Sequence, residues 1–450
     1  MSFQQGLSGL NVSAKALDII SNNVANTNTV GFKSGGAIFA DVFAASLTGS
    51  ISGKQVGVGG TLAAVRQSFT QGNLTTTNNP LDLAVNGDGF FIVSREQGPN
   101  VYTRNGQFEL DKDGFILTPT GEKLMGFQSA VAAGALPTPV GGLKEIQIPV
   151  VGSQPVATSN VVVGGNLDAN DESPSIKYPT LPAFPGLEAN DAWKDARTYN
   201  YSTSIKSYDS LGKAHELTFY FVKDDPADPD AGGENSWKVY TSVDGKYPLG
   251  VSQDADGNNV YDDTKIWSFV FDDSGEIDTD SLTGPSLDEP LVIDAADYSP
   301  GAADIEFYVD FTAMRQIGGP YLITELTQDG YTGGELAGVS VGRDGMITGR
   351  YTNGETRELA QLALQTFRNP NALLSIGNNF WEATNESGLI APAKPGEGVA
   401  GVVSAGMVED ANVELTTELV QMIVQQRNYQ ANAQSIKAQD QILQTLVNLR

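Results

Sequence analysis

Residues 412–450, NVELTTELVQMIVQQRNYQANAQSIKAQDQILQTLVNLR, decide the architecture. Leu415, Leu419, Met422, Tyr429, Ala433, Ile436, Leu443 and Val447 recur at steps of three, four and seven, the beat of a helix that buries one seam. The opposite end, residues 1–30, MSFQQGLSGLNVSAKALDIISNNVANTNTV, keeps the same beat through Phe3, Leu7, Leu10, Ala14, Leu17 and Val24. Between them lie several hundred residues of Gly, Asp, Thr and Val with strand-and-turn texture. Two helices separated by the whole chain must find each other or find other copies, and this suggests an assembling subunit.

The first helix has a capping box, with Ser2 as N-cap and Gln5 reaching back to its N–H. Gly6 and Gly9 each cost it about 1 kcal/mol relative to Ala, and Asn22, Asn23, Asn26 and Asn28 weaken its far end. It is marginal alone. The second is sturdier: Asn412 is its expected cap, Glu414 and Glu418 sit at the positive end of the dipole, and Arg450 sits at the negative end. Val420, Ile423, Val424 and Leu446 add a second apolar face. Two faces imply more than one neighbour, with an ordinary intrachain helical hairpin as the simpler alternative.

At 450 residues the chain is multidomain. It has no Cys, 50 Gly and a net charge of -27, a profile suited to an exposed, repeatedly assembled surface, and one that excludes disulfides and thiolate metal sites. The acidity is internal. Residues 146–332 hold 32 acidic and 10 basic side chains, a balance of -22, which argues against nucleic acid or anionic lipid as partners. No apolar run approaches the roughly 20 residues of a membrane span, and the N-terminus lacks the basic region and cleavage site of a secretory signal.

Residues 31–70, rich in Gly and Ser, read as an extended connector. From Leu81 short strands follow: Leu81 to Val85, an Asn86-Gly87-Asp88-Gly89 turn, then Phe90 to Val93, a hairpin signal. The texture returns at Ser340 to Arg350, turning at Arg343-Asp344-Gly345, and at Leu359 to Phe367. Residues 146–332 carry their own strands at 199–208, 215–222, 237–243, 267–271 and 305–311. The expected fold is therefore multidomain α+β: a terminal coiled-coil pair (1–30 and 412–450), a connector (31–70), and two mainly antiparallel β domains. The first spans 71–145 and 333–411, and the outer, acidic one (146–332) is inserted in it.

Motifs of chemistry are scarce. Asp254-Ala255-Asp256-Gly257-Asn258 opens like a calcium loop, but Asn259 stands where Gly is needed and Lys265 where Glu is needed. His215, the only histidine, lies beside Glu216 in an alternating strand without a nucleophile motif, and reads as a surface or half-buried strand residue. No P-loop, HExxH or GxSxG is present. The reading is a non-enzyme with no cofactor and no metal.

Ser21 to Lys33, with Asn22, Asn23, Asn26, Gly31 and Phe32 at its centre, resembles the N-terminal signature of bacterial flagellar axial proteins of the rod and hook. Leu83 to Phe91, holding Asn86, Gly87 and Gly89, and Tyr102 to Gly106 resemble the next two motifs. Glu418 to Asn432, with Arg427, Asn428 and Tyr429, resembles the hook branch especially, as does Thr327 to Thr332. Together these cover roughly residues 1–145 and 327–450; the acidic insertion matches by position alone.

The resemblance implies a subunit of the hook, the curved tube that joins rod to filament as a universal joint in bacterial motility. It implies terminal helices that form an inner tube around the export channel and become ordered on assembly, with β domains as outer layers. The implied partners are further copies of the chain, rod, hook-cap and hook–filament junction proteins, and the flagellar type III export apparatus, with delivery outside the cell and no cleaved signal. Phe39 to Phe43 resembles the short element by which early substrates engage the export gate, through Phe39 and Phe43. The alternatives are a distal rod subunit and, from another class, an acidic calcium-binding surface protein.

Overall fold

The computed structural model describes residues 2–42, 57, 59–128, 142–149, 152–175, 178, 194–225, 235–246, 248–253, 259–286 and 289–448. Among them are helices α1 (Ser2–Ala25), α2 (Ala295–Tyr298, a single turn) and α3 (Leu415–Asn448); nearly all other regular structure is strand. The molecule is thus mostly β with long helices at its two ends. It divides into two compact units, Met1–Val151 with Leu336–Arg450, and Gly152–Glu335.

In the first unit α1 and α3 run antiparallel, because Gly6 faces Ile436, Gly9 faces Asn432, and Asn23 bonds Glu418. A Cβ at Gly9 would come within 2.8 Å of the Asn432 side chain. The two glycines that weaken α1 as an isolated helix are where α3 comes closest. The buried face of α1 is Gly6, Ser13, Ala16, Ile20 and Asn23, one position away from the seam expected from the sequence. Small residues fill it because a helix can approach closely only where side chains are short.

The described residues of the stretch expected as an extended connector hold two paired strands. β1 (Gly35–Val42) pairs antiparallel with β2 (Gly59–Gln67), and α1 holds both of its ends. Asn23 brackets Gly35, donating to its carbonyl and accepting from its N–H, both at 2.9 Å. Ser8 does the same at Gly60, at 2.6 and 2.9 Å. Gln5, expected to complete a capping box, instead donates to the Gly57 carbonyl at 2.8 Å.

The main sheet of this unit runs, in spatial order, Leu336–Val341, Met346–Tyr351, Thr356–Leu362, Lys123–Gln128, Phe90–Ser94, Val101–Thr103, Phe380–Glu382 and Leu374–Gly377, all antiparallel. Strands from both flanks of the other unit therefore interleave. Leu83, Val85, Phe91, Val93, Phe108, Leu124, Ile146, Leu362 and Val403 form its core. The Asn86–Gly89 turn does not close a hairpin: Leu83–Asn86 pairs with Val402–Ala405, whereas Phe90–Ser94 pairs with Val101–Thr103. Gly87 and Gly89 both have positive φ, so the chain turns out of one sheet and into another.

The second unit packs two sheets around Trp237, Trp267, Phe219, Phe221, Phe307 and Phe311. One is antiparallel: Tyr201–Tyr208, Ala214–Lys223, Ser236–Val243 and Trp267–Val270. The other is mixed, because Asn160–Asp168 lies parallel to Ile305–Asp310 and Met314–Ile317 but antiparallel to Leu322–Gln328. His215 is buried, contrary to the expectation of a surface or half-buried residue. Its Nδ1 lies 2.7 Å from Asp244 and its Nε2 3.5 Å from Asp209. Burial opposes ionisation of both carboxylates, but their hydrogen bonds outweigh it and hold both below the usual aspartate value. The residues Asp254–Asn258 of the calcium-loop reading lie outside the described residues.

Candidate functional site

Where the ends of the chain meet the sheet, the sequence motifs converge on one carboxylate. Glu409 is fully buried, and each of its oxygens is occupied. Oε1 accepts from Lys33 Nζ at 2.6 Å and from the Gly72 N–H at 2.9 Å, and Oε2 accepts from Arg104 Nη1 at 3.2 Å. Lys33 also donates to the Thr70 carbonyl at 2.8 Å, and Arg104 Nη2 to the Gly87 carbonyl at 2.8 Å. The Arg104 guanidinium lies 5.1 Å from the Phe90 ring centroid. Burial pushes the Lys33 ammonium below the usual lysine value and Glu409 restores it only in part, with Arg104 adding to the lowering. Burial likewise lowers Arg104 against the pull of Glu409.

The chain reaches this cluster through two turns. Gly31 has a φ of 71°, and a Cβ there would stand 2.5 Å from the Asn105 backbone nitrogen, so only glycine lets residues 31–33 pass the Arg104–Gly106 segment. The Gly31 N–H donates to the Glu409 carbonyl at 2.7 Å, and Asn379 Nδ2 to the Val30 carbonyl at 2.9 Å. On the returning side Phe69 packs edge-on against Phe90 and Trp381, both at 5.6 Å, while Trp381 Nε1 donates to Gln67 at 2.6 Å.

Asn412 was expected to cap α3. Its side chain instead accepts from the Ser34 N–H at 2.7 Å and donates to the Ser68 carbonyl at 2.7 Å and to Thr70 Oγ1 at 2.9 Å, tying both strands of the pair to the approach of α3. Asn23, only 2% exposed, adds the third tie through Glu418 at 3.1 Å. Asn22 and Asn26 close the end of α1, with Asn26 Nδ2 donating to the Asn22 carbonyl at 2.9 Å. The family-motif residues Asn22, Asn23, Asn26, Gly31, Phe32, Asn86, Gly87 and Gly89 thus lie in or next to one junction. Sequence reasoning missed Glu409, which Asp410 follows directly and which nothing in the local sequence sets apart.

The expected assembly seam behaves differently. On α1, Phe3 and Leu7 are exposed and Leu10, Ala14, Leu17 and Val24 half-buried; on α3, Leu415, Leu419, Tyr429 and Leu443 are exposed and Met422, Ala433 and Ile436 half-buried. Val420, Ile423, Val424 and Ile442 are exposed beside them. The side chain of Val447 lies outside the described residues. Arg427 and Asn428 lie exposed on α3, Asn428 bonding only locally, to Gln425 at 3.3 Å. Phe39 is 38% exposed on β1, and Phe43 lies outside the described residues.

Four family signatures account for this layout. Residues 3–33 match the flagella basal body rod protein family and 84–166 the flagellar hook protein FlgE/F/G D1 domain. Residues 166–331 match the flagellar basal body protein FlaE D2 domain, and 404–449 the C-terminal domain of flagellar basal body rod FlgEFG proteins. The flagellar hook protein FlgE of Escherichia coli K12 is 36% identical over 451 residues, covering 100% of both chains. This chain belongs to the flagellar hook protein family. The hook protein of Salmonella typhimurium LT2 is likewise 36% identical over 454 residues with 100% of both covered, and that of Borreliella burgdorferi is 28% identical over 471, with 100% of this chain and 99% of its own covered. The crystal structure of Helicobacter pylori flagellar hook protein FlgE2 shares the fold, with a TM-score of 0.51 and 16% identity over 73% of this chain and 98% of that one. The family's role is structural. Among the described residues no helix is long and apolar enough to cross a membrane, and no acidic or histidine cluster is arranged to hold a metal.

Proposed function

We propose that this hook-family chain polymerises through α1 and α3 into a flexible curved tube, the universal joint that transmits torque from rod to filament and encloses the export channel. The apolar surface left open along both terminal helices carries this reading. In water such surface is unfavourable by about 25 cal/mol per Å², and neighbouring copies are what would cover it. The domains follow: residues 1–30 and 412–450 as the inner tube, 31–70 as connecting segment, 71–145 with 333–411 as the inner β layer, and 146–332 as an inserted outer domain. The strand pairing that joins Lys123–Gln128 to Thr356–Leu362 supports that nesting.

The chain acts without catalysis and without a cofactor. Its partners are further copies of itself, then rod, hook-cap and hook–filament junction proteins, and it reaches the cell exterior through the flagellar type III apparatus, with Phe39 and Phe43 as the export-gate element. The D2 match over residues 166–331 supports the hook over a distal rod subunit. Negative-stain microscopy of the purified chain polymerised in high salt tests the reading. Curved tubes are expected; straight tubes support the rod, and monomers that never associate at any concentration refute both.

A further inference from the structure

The junction holds two cations against one carboxylate. Lys33 and Glu409 side chains are 0% exposed and Arg104 is 4% exposed, so the cluster carries an excess positive charge within protein. The next carboxylate that acts on Arg104, Asp88, is exposed and therefore screened. Without Lys33 the remainder would be balanced: Glu409 would keep Arg104 on one oxygen and the Gly72 N–H on the other. Without Glu409, two desolvated cations would face each other.

We infer that Glu409 is the positioning residue that fixes the N-terminal segment on the sheet, and that Lys33 is a surplus charge that limits how tightly this segment docks. The inference deepens the reading above, since the segment it governs joins the terminal helices to the β layer. Its physical basis is the asymmetry of buried ion pairs: removing one charge is severe when it leaves another buried without a counter-ion, and mild when the charges that remain still balance. Lys33 is the removable member because Arg104 and the Gly72 N–H already satisfy Glu409. Of the two acceptors that lose Lys33, Glu409 Oε1 keeps the Gly72 N–H and the Thr70 carbonyl keeps Asn412 Nδ2 at 3.2 Å.

Hydrogen exchange at the amides of residues 26–34, in the full-length chain below its assembly concentration, tests this. Protection there is expected in the wild type, and its absence overturns the inference. Glu409→Gln keeps the shape, removes the charge, and is expected to speed exchange about a hundredfold. Lys33→Met is expected to slow exchange, and unchanged exchange overturns the assignment of Lys33 as a limit on docking. The double variant is expected to exchange about tenfold more slowly than Glu409→Gln alone, because one of the two orphaned cations is gone. A purely space-filling or hydrogen-bonding role predicts the reverse: Lys33→Met loosens the segment and the double variant is worse than either. That outcome, or an unchanged Glu409→Gln, overturns the inference. Amides of Ala214–Lys223 in the other unit report whether each variant is folded there, and the Lys33→Met arm decides even if Glu409→Gln unfolds its own unit. Tube formation, read separately, tests the hook reading, so the two can fail independently.

Discussion

Replacing Ile423 by Asp should block assembly while leaving the isolated molecule folded. Leu415, Leu419, Val420, Ile423 and Val424 have between 43% and 57% of their area open on α3. Full burial of such a side chain is worth about 1.5–3 kcal/mol, so covering the open half of Ile423 in a neighbour contributes about 1 kcal/mol. An aspartate there forfeits that gain and adds desolvation of a carboxylate without a counter-ion, about 3 kcal/mol or more. The total of about 4 kcal/mol raises the critical concentration about a thousandfold, at 1.4 kcal/mol per decade. Ile423→Val removes only a fraction of the open surface and should shift it about threefold. Light scattering against protein concentration reads the threshold, and far-ultraviolet circular dichroism of the unassembled chain reads the fold. An Ile423→Asp chain that polymerises at the wild-type threshold would refute the assignment of this face to subunit contacts.

Three further outcomes follow from the hydrogen-bond geometry. Asn23→Ala leaves the Gly35 N–H, the Gly35 carbonyl and one Glu418 oxygen unpaired, at about 3 kcal/mol or more together; exchange at the β1 amides should rise by at least a hundredfold, and unchanged protection would exclude Asn23 as the tie. Asp329 accepts from the Ser159 and Asn160 N–H groups at 2.8 and 3.0 Å and from their side chains at 2.6 and 2.9 Å. Asp329→Asn should destabilise its unit by about 2 kcal/mol in urea, and a midpoint equal to wild type would remove the charge from the explanation. Asp209, Asp244 and Asp329 all titrate below the ordinary aspartate value in the folded chain. Depressed carboxylates give stability that is full above their unfolded pKa of about 3.9 and is lost as pH falls through the folded values. The fluorescence of buried Trp237 and Trp267 should therefore hold from neutrality to about pH 4 and change below it; a transition near neutral pH would show that other groups govern.

Much of the β structure was legible because half-buried strands alternate. The readings at 215–222 and 237–243 fall within the observed Ala214–Lys223 and Ser236–Val243, whose inward residues Leu217, Phe219, Phe221, Trp237 and Val239 are buried. Asn160–Asp168 escaped notice because Val161, Val162 and Val163 form a continuous apolar run and two glycines follow, which hides in the sequence the alternation of burial at Val161–Val163 and Gly165–Asp168. The pair β1–β2 was illegible for another reason. Its strands are mostly exposed, its composition is that of a connector, and what holds it are polar side chains of α1, which no hydrophobic pattern reports. Helix periodicity found α1 and α3 but not the face they share, since glycine, serine and asparagine on a helix read as weakness until a second helix lies against them.

The junction was hidden because its chemistry is long-range: 376 residues separate Lys33 from Glu409. Motif residues could be named from resemblance, yet nothing local pointed to Glu409, since a single acidic residue among 54 carries no signal. Its position explains what the C-terminal end must do. Before the helix, Glu409 and Asn412 are bonded by residues 33–72 and 104, and Asp410 by Thr75. From Leu415 onward α3 presents one face to α1, with Ile436 against Gly6, and leaves Leu415, Leu419, Val420, Ile423 and Val424 open. The change occurs within three residues. A helix tied at its root by these bonds, with one apolar face left open, is expected to pass force from neighbouring copies to the sheet it is tied to. Loosening the root and stripping the apolar face should therefore produce different defects, the first in the stiffness of the tube and the second in whether a tube forms.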